Sequence, residues 1–365
     1  MKIVTIVGAR PQFIKSSTVS RAINIHNLNN KKNNTIEEVI VHTGQHFDKN
    51  MSEVFFTELD IPQPKYNLNI SNLSHGAMTG RMLESIEIIL IKEMPDLVLV
   101  YGDTNSTLSG VLAAKKMHIK VAHVEAGLRS NNMEMPEELN RIVADRLSDY
   151  LFCPTKSSLE NLEKEGIKSG VYNVGDVMFD ATLYFNKRAK KQINLSKFSL
   201  SKGDYALCTI HRAENTDNIH KLESIFEALK EISLMMPVVL PLHPRTKNQI
   251  IKLKKEQWLE NLTIIKPVSY LEMLFLESSS RVILTDSGGV QKEAYFHRVP
   301  CITLRSETEW VETVSMGCNF IAGSEKVSIL KAFDKALDSK ITNSESGIYG
   351  EGNAAVKIVQ IINQI

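Results

Sequence analysis

Residues Ile283 to Ala294 read ILTDSGGVQKEA, an order of residue types that could do chemistry. An apolar run ends in Thr285 and Asp286, a hydroxyl and two glycines follow, and a segment of helical composition begins. A strand, glycine turn and helix start of this kind make a nucleotide site in α/β proteins. Gly288 and Gly289 let a ligand approach the backbone, and Ser287 and the first N–H groups of the helix face whatever anion sits there. Glu293, in the first turns of that helix, could accept the two hydroxyls of a ribose. A glycine pair is weak evidence alone, but other apolar runs also end in reactive residues. GARPQFIK places Arg10 and Lys15 around a helix start behind Pro11, where both could reach an anion. LVLVYGDTNST puts Asp103 directly after a buried run, where an N-cap role would be equally natural.

KVAHVEAGLRSNNMEMPEELNR sets Glu125 among apolar neighbours, a costly position unless the carboxylate is paired or functional. Glu137 and Glu138 then open a helix behind Pro136, where complementing the helix dipole is the structural reading for one of them. Arg129 and Arg141 are the expected ion-pair partners. TIHRAEN puts His211 and Arg212 after another apolar run, and His243 in PLHPRT is a similar, weaker case. Carboxylates, histidines and cations in this combination suit proton transfer at carbon beside an anionic leaving group. No metal is expected. His42 and His46 are four apart, but Gly44 argues against a helix and the glutamate of HExxH is absent. GARPQF is not GxGxxG, so no dinucleotide cofactor is expected.

The elements that must position these residues follow from hydrophobic periodicity. Short apolar runs alternate with helical patterns: Ile3–Val7, Glu38–His42, Leu97–Tyr101, Val121–Val124 and Tyr150–Cys153, then Tyr205–Ile210, Pro237–Leu242, Leu262–Ile265, Val282–Thr285 and Cys301–Leu304. Strands separated by helices make parallel sheets covered on both faces. The expectation is an α/β chain of two Rossmann-like domains, 1–185 and 203–349, with a linker near 185–203 and a deep interdomain cleft between the strands' carboxyl ends. A last helix in 350–365, entered through GIYGEGNAA, is expected to cross back onto the first domain.

At 365 residues two domains are the natural prior, and 43% hydrophobic with 23% charged residues fits a globular protein. A formal net charge of +1 gives no global field toward nucleic acid or an anionic membrane. Cys153, Cys208, Cys301 and Cys318 are scattered, as in reduced, mostly buried thiols, and a cytoplasmic location is expected. No run approaches the roughly twenty apolar residues of a membrane span.

Taken in order, GARPQFIK, YGDTNST, HVEAGLR, MPEELNR, HRAEN and TDSGGVQKEA resemble the non-hydrolysing UDP-N-acetylglucosamine 2-epimerases over essentially the whole chain. The resemblance implies a glycosyltransferase-B-like fold without NAD or metal, a UDP-sugar substrate and a homodimer. It implies a reaction in which C2 loses its proton as UDP leaves C1, and UDP returns with the proton delivered to the opposite face. By motif, Asp103, Glu125, Glu137 and His211 match catalytic residues, and Arg10 and Lys15 match cations near the diphosphate. Ser287, Gly288, Gly289 and Glu293 match the UDP site. Arg212 and His243, with Gln45 and His46, fall near segments that bind a second substrate molecule in some members.

Gln12, where the family commonly has glutamate, and Trp310, where an arginine is usual, together with MTGRML (Met78–Leu83), resemble the branch acting on UDP-2,3-diacetamido-2,3-dideoxy-glucuronate. A neutral Gln12 would spare that substrate's extra carboxylate a repulsion, Trp310 would pack on its 3-acetamido group, and Arg81 would be its cation. UDP-N-acetylglucosamine is the other candidate substrate. A glycosyltransferase of the same fold, a hydrolysing 2-epimerase and a non-enzymatic sugar-nucleotide sensor are the competing readings.

Overall fold

A computed structural model describes residues 1–30, 34–45, 59–339 and 347–365. The chain divides into two compact units, Met1–Leu183 with Ser346–Ile365, and Tyr184–Glu345.

The first unit holds a seven-stranded sheet. Its strands are β1 (Lys2–Val7), β2 (Glu37–His42), β3 (Tyr66–Asn67), β4 (Leu97–Tyr101), β5 (Lys120–Val124), β6 (Tyr150–Cys153) and β7 (Val171–Asn173), in the order 3-2-1-4-5-6-7. Every pairing is parallel. The central strands read as continuous apolar runs because both faces are covered: all five residues of β4 are buried. The second unit repeats the plan with β8 (Ala206–Thr209), β9 (Val238–Pro241), β10 (Thr263–Ile265), β11 (Val282–Thr285), β12 (Cys301–Thr303) and β13 (Asn319–Ile321). Its order, 10-9-8-11-12-13, is again wholly parallel.

Each sheet reverses its order of growth at one place, between β1 and β4 and between β8 and β11. Crossovers leave these neighbours toward opposite sides, so the loops at their carboxyl ends part and leave a crevice. Arg10 and Asp103 follow β1 and β4, and His211 and Ser287 follow β8 and β11. Chain topology thus brings residues about 75 to 95 apart in sequence to one sheet edge, as the neighbouring-strand rule for such sheets requires.

Three strands carry no signal in the sequence. β3, β7 and β13 are two or three residues long at sheet edges, and β3 and β7 have no fully buried residue. The helix Val177–Gln192 runs through the first half of the expected linker, and a 3₁₀ turn at Leu195–Phe198 follows. All four cysteines are buried free thiols, and burial pushes Cys153 up to about 12. Among the described residues no helix is long and apolar enough to cross a membrane.

The helix Ala354–Ile362 belongs to the first unit and packs on the helix Arg10–Asn29. Its own N-cap, Asn353, makes no side-chain cap bond. Asp180, 174 residues earlier, instead accepts the backbone N–H of Ala354 at 3.2 Å and of Ala355 at 2.8 Å. Burial raises the Asp180 carboxyl to about 6, and the two N–H groups only partly offset it. Asp180→Ala should therefore destabilise the chain by about 0.5–2 kcal/mol, the worth of an N-cap. Chemical denaturation checks this, and an unchanged midpoint would show that the cap contributes nothing.

Candidate active site

In the first unit the site is built from charges that neighbouring strands neutralise for one another. Glu125 follows β5 directly, and its carboxylate lies 2.5 Å from Lys15 Nζ, with both side chains buried. Glu125 adopts φ 71°, a left-handed conformation that costs a non-glycine residue of order 1–3 kcal/mol. Gly102 lies opposite with φ 61°, and a Cβ there would stand 3.2 Å from Lys15 Nζ. Only glycine meets both the angle and the close approach. Glu125 thus pairs with Lys15, and of the two arginines expected to hold this motif's carboxylates Arg141 pairs with Glu138.

Those arginines serve other carboxylates. Arg141 bonds Asp103 through Nε at 3.1 Å and Nη2 at 2.6 Å, and reaches Glu138 through Nη1 at 2.7 Å. Asp103 is not the N-cap of the following helix. Thr104 is, accepting from Thr107 N, which leaves the Asp103 side chain to Arg141 and 28% exposed. Arg129 bonds Asp145 at 2.6 Å and Glu165 at 2.6 Å. His123, fully buried on β5, bridges Asp145 at 2.8 Å and the Gly102 carbonyl at 2.7 Å, fixing the peptide that carries Asp103. Burial works to raise Asp145, but His123 and Arg129 prevail and hold it below its ordinary 3.8.

The two helix-start glutamates separate cleanly. Glu138 is buried and accepts from Ser130 N at 3.0 Å and Asn131 N at 2.9 Å besides Arg141. Glu137 is half-buried, and no ion pair or side-chain hydrogen bond joins it to another described residue. Glu138 is the structural member of the pair. Arg10 begins the helix Arg10–Asn29, partly exposed.

Gln12 is turned inward and bonded to the fold. It is 1% exposed. Its Oε1 accepts from Gly8 N at 2.8 Å and Ala9 N at 3.0 Å, while its Nε2 donates to the Tyr101 carbonyl at 2.7 Å and Thr107 at 3.0 Å. The amide ties the ends of β1 and β4 together, and a glutamate could not make the two donations. Gln45 accepts from the backbone and hydroxyl of Ser106. His42 is buried against Phe13, and burial lowers its pKa to about 4. His46 lies outside the described residues.

In the second unit Thr209 on β8 pairs with Thr285 on β11 in register, and their hydroxyls bond at 2.6 Å. The next residues therefore leave the sheet side by side. Asp286, fully buried, accepts the backbone N–H of His211 and of Arg212, each at 3.0 Å, and faces His211 Nδ1 at 3.2 Å. The His211 ring is 38% exposed and lies 5.3 Å, centroid to centroid, from His243. His243 caps its own helix, its Nδ1 accepting from Arg245 N.

Ser287 is the N-cap of the helix Gly288–His297, its Oγ accepting from Val290 N. Neither Gly288 nor Gly289 is left-handed, and a Cβ on either would meet no atom closer than 3.5 Å. The fold does not need glycine at these positions, where each costs about 1 kcal/mol against alanine. Around Gly288 stand Trp310, Glu309 and Arg212. Arg305 and Glu309 form a buried pair at 3.0 Å that fixes this loop. Trp310, 5% exposed, lies beneath the buried Lys292 ammonium, 4.0 Å from its ring centroid. Glu293 is buried in the same helix.

Two parallel-sheet α/β domains with charged strand ends at both switch points define a Rossmann-like nucleotide-sugar fold. The model of the family described as UDP-N-acetylglucosamine 2-epimerase matches residues 28–363, and the chain belongs to that family. Over the full length of both chains it is 50% identical to a UDP-2,3-diacetamido-2,3-dideoxy-D-glucuronate 2-epimerase of Pseudomonas aeruginosa. It is 45% identical to a UDP-N-acetylglucosamine 2-epimerase of Methanocaldococcus jannaschii, covering 99% of each. A crystal structure of Methanocaldococcus jannaschii UDP-GlcNAc 2-epimerase in complex with UDP-GlcNAc and UDP superposes with a TM-score of 0.92 at 44% identity, covering all of both chains.

Glu138 gives a prediction with a definite sign. Burial works to raise its pKa, but the N–H groups of Ser130 and Asn131 and the Arg141 guanidinium hold it below its ordinary 4.5. The folded pKa is depressed, so its stabilisation is present above about 4.5 and is lost as pH falls through the lower folded value. Glu138→Gln should destabilise the chain at neutral pH by about 1–3 kcal/mol, the worth of hydrogen bonds to a charged group. The gap to wild type should close on acidification. Denaturation at pH 7 and pH 4 checks it, and a gap that widens in acid would contradict the assignment.

Proposed function

We propose that the chain is a non-hydrolysing UDP-sugar 2-epimerase, with Asp103, Glu125, Glu137 and His211 as its acid–base groups. The observation that carries this reading is the Lys15–Glu125 pair. A buried ion pair on a left-handed residue is costly, and a hydrophobic pair would serve stability as well or better. Its retention is explained by proton transfer, for which a carboxylate must be held in place with its charge balanced.

The reaction removes the C2 proton of a UDP-2-acetamido sugar as the C1–O bond to UDP breaks, giving an alkene between C1 and C2. UDP then re-adds at C1 and a proton is delivered to C2 from the opposite face. Ser287, Gly288, Gly289 and the N–H groups of their helix receive the leaving diphosphate, with Glu293 on the ribose. Arg10, Arg212 and His243 complete the substrate contacts. Lys15 acts through Glu125 while also contributing charge to the phosphate. Pre-placed donors stabilise charge as it develops on the leaving group without reorganising, which favours elimination over simple binding.

The substrate we favour is UDP-2,3-diacetamido-2,3-dideoxy-glucuronate, supported by the 50% identical Pseudomonas aeruginosa enzyme and by Trp310 beside Gly288. The 45% identical Methanocaldococcus jannaschii enzyme supports the second candidate, UDP-N-acetylglucosamine. Incubating each UDP-sugar in deuterium oxide without an acceptor should place one deuterium at C2 of intact nucleotide sugar. Free sugar with UDP would instead mark a hydrolysing enzyme. Greater catalytic efficiency on UDP-N-acetylglucosamine would reverse the choice of substrate.

Two sets of variants probe the assignments. Gly288→Ala should fold at least as stably as wild type, because helix propensity improves and no contact is too close, yet lose UDP affinity by calorimetry. Undiminished affinity would remove the loop from the nucleotide site. Asp103→Asn, Glu125→Gln, Glu137→Gln and His211→Asn should each lower turnover by about 10²–10⁴-fold while UDP still binds. A variant that keeps its turnover assigns its residue to structure alone.

A further inference from the structure

Resting on the epimerase reading, we propose that Asp286 is a positioning residue that fixes the tautomer of His211 and turns its Nε2 toward the reactants. Three observations converge on it. The register of β8 and β11 delivers the two residues to adjacent strand ends, locked by the Thr209–Thr285 hydroxyl bond. The Asp286 carboxylate is fully buried, so it cannot itself meet substrate. Oδ2 takes the N–H groups of His211 and Arg212 at 3.0 Å and the Asn215 amide at 3.3 Å, while Oδ1 shares the His211 N–H at 3.1 Å and faces His211 Nδ1 at 3.2 Å.

A carboxylate only accepts hydrogen bonds, so the ring nitrogen facing it must carry the proton. Nε2, on a ring that is partly exposed, then presents its lone pair and can take a proton from the reactant side and return it, while Nδ1–H stays bonded to Asp286. Asp286 is ionised under these conditions: burial works to raise its pKa, but His211 and the two backbone N–H groups hold it below its ordinary 3.8. Other titratable or charged groups nearby include His243, at 5.3 Å between ring centroids, the adjacent Arg212, and the Cys208 thiol, which burial and the Asp286 charge keep protonated. His243 Nδ1 accepts from Arg245 N, so that nitrogen does not compete for the proton of His211.

Asp286→Asn separates positioning from folding. An amide with its oxygen at the Oδ2 site keeps the three acceptances made there and loses only the shared His211 N–H at Oδ1, where its NH₂ donates to His211 Nδ1. That forces the ring proton onto Nε2, the tautomer that cannot accept from substrate. In another histidine-dependent enzyme the equivalent change leaves geometry intact and costs about 10⁴-fold in kcat. Here turnover should fall by about 10²–10⁴-fold with UDP affinity retained.

The direct readout is ¹⁵N NMR of histidine-labelled protein, with His211 among the ten histidines assigned by its disappearance in His211→Asn. Wild type should show Nδ1–H and Nε2 unprotonated when neutral, and Asp286→Asn the reverse. A wild-type ring protonated on Nε2 overturns the proposal, as does a folded Asp286→Asn that keeps full turnover. If Asp286→Asn does not fold, the wild-type tautomer alone decides. The tautomer is measured without substrate, so a chain that failed to epimerise either sugar would defeat the functional reading and leave this result standing.

Discussion

Glu125, Asp103 and Asp286 are each held by a cation or N–H donor that a neighbouring element delivers. Taking a carboxylate out of water costs several kcal/mol unless it is paired. Parallel sheets meet that requirement through their register. β1, β4 and β5 lie side by side, so Lys15 reaches Glu125 while His123 grips the peptide ahead of Asp103. β8 and β11 do the same for His211 and Asp286. The fold is therefore a device for bringing charge partners together, and its apolar strands supply the rigidity that keeps them there.

The two halves divide the labour in a way that suits elimination. The first unit carries three carboxylates, each with its own environment: Glu125 buried on Lys15, Asp103 half-open on Arg141, and Glu137 in the first turn of its helix. Different surroundings are what allow like groups to take acid and base roles in one reaction. The second unit carries the proposed leaving-group site, a helix start with Ser287 as its cap and two glycines that the fold itself does not need.

The strand cores and the reactive residues at their ends were legible in the sequence, because a buried parallel strand must be an apolar run and a site residue must interrupt it. Edge strands β3, β7 and β13 were not, since two or three partly exposed residues leave no periodic trace. The partners were legible least. Lys15 and Glu125 are 110 residues apart, and Arg129, four residues from Glu125, serves Asp145 and Glu165. Gln12 shows the same limit, since two of its four internal hydrogen bonds run to residues 89 and 95 positions away. Asp286 was read as the end of a strand, and only the β8–β11 register shows that it faces His211. His123, two residues before Glu125 in the same motif, was a signal available and unused.

The central claim is that this arrangement breaks the bond between C1 and the diphosphate oxygen and then re-forms it. Positional isotope exchange tests that step itself. A UDP-sugar carrying ¹⁸O in the bridge between C1 and phosphorus should scramble the label into the non-bridging oxygens of the β-phosphate, because released UDP rotates before it re-adds. The account predicts scrambling in recovered substrate and product alike, lost in His211→Asn and Glu125→Gln. Inversion at C2 with the label fixed in the bridge would contradict it.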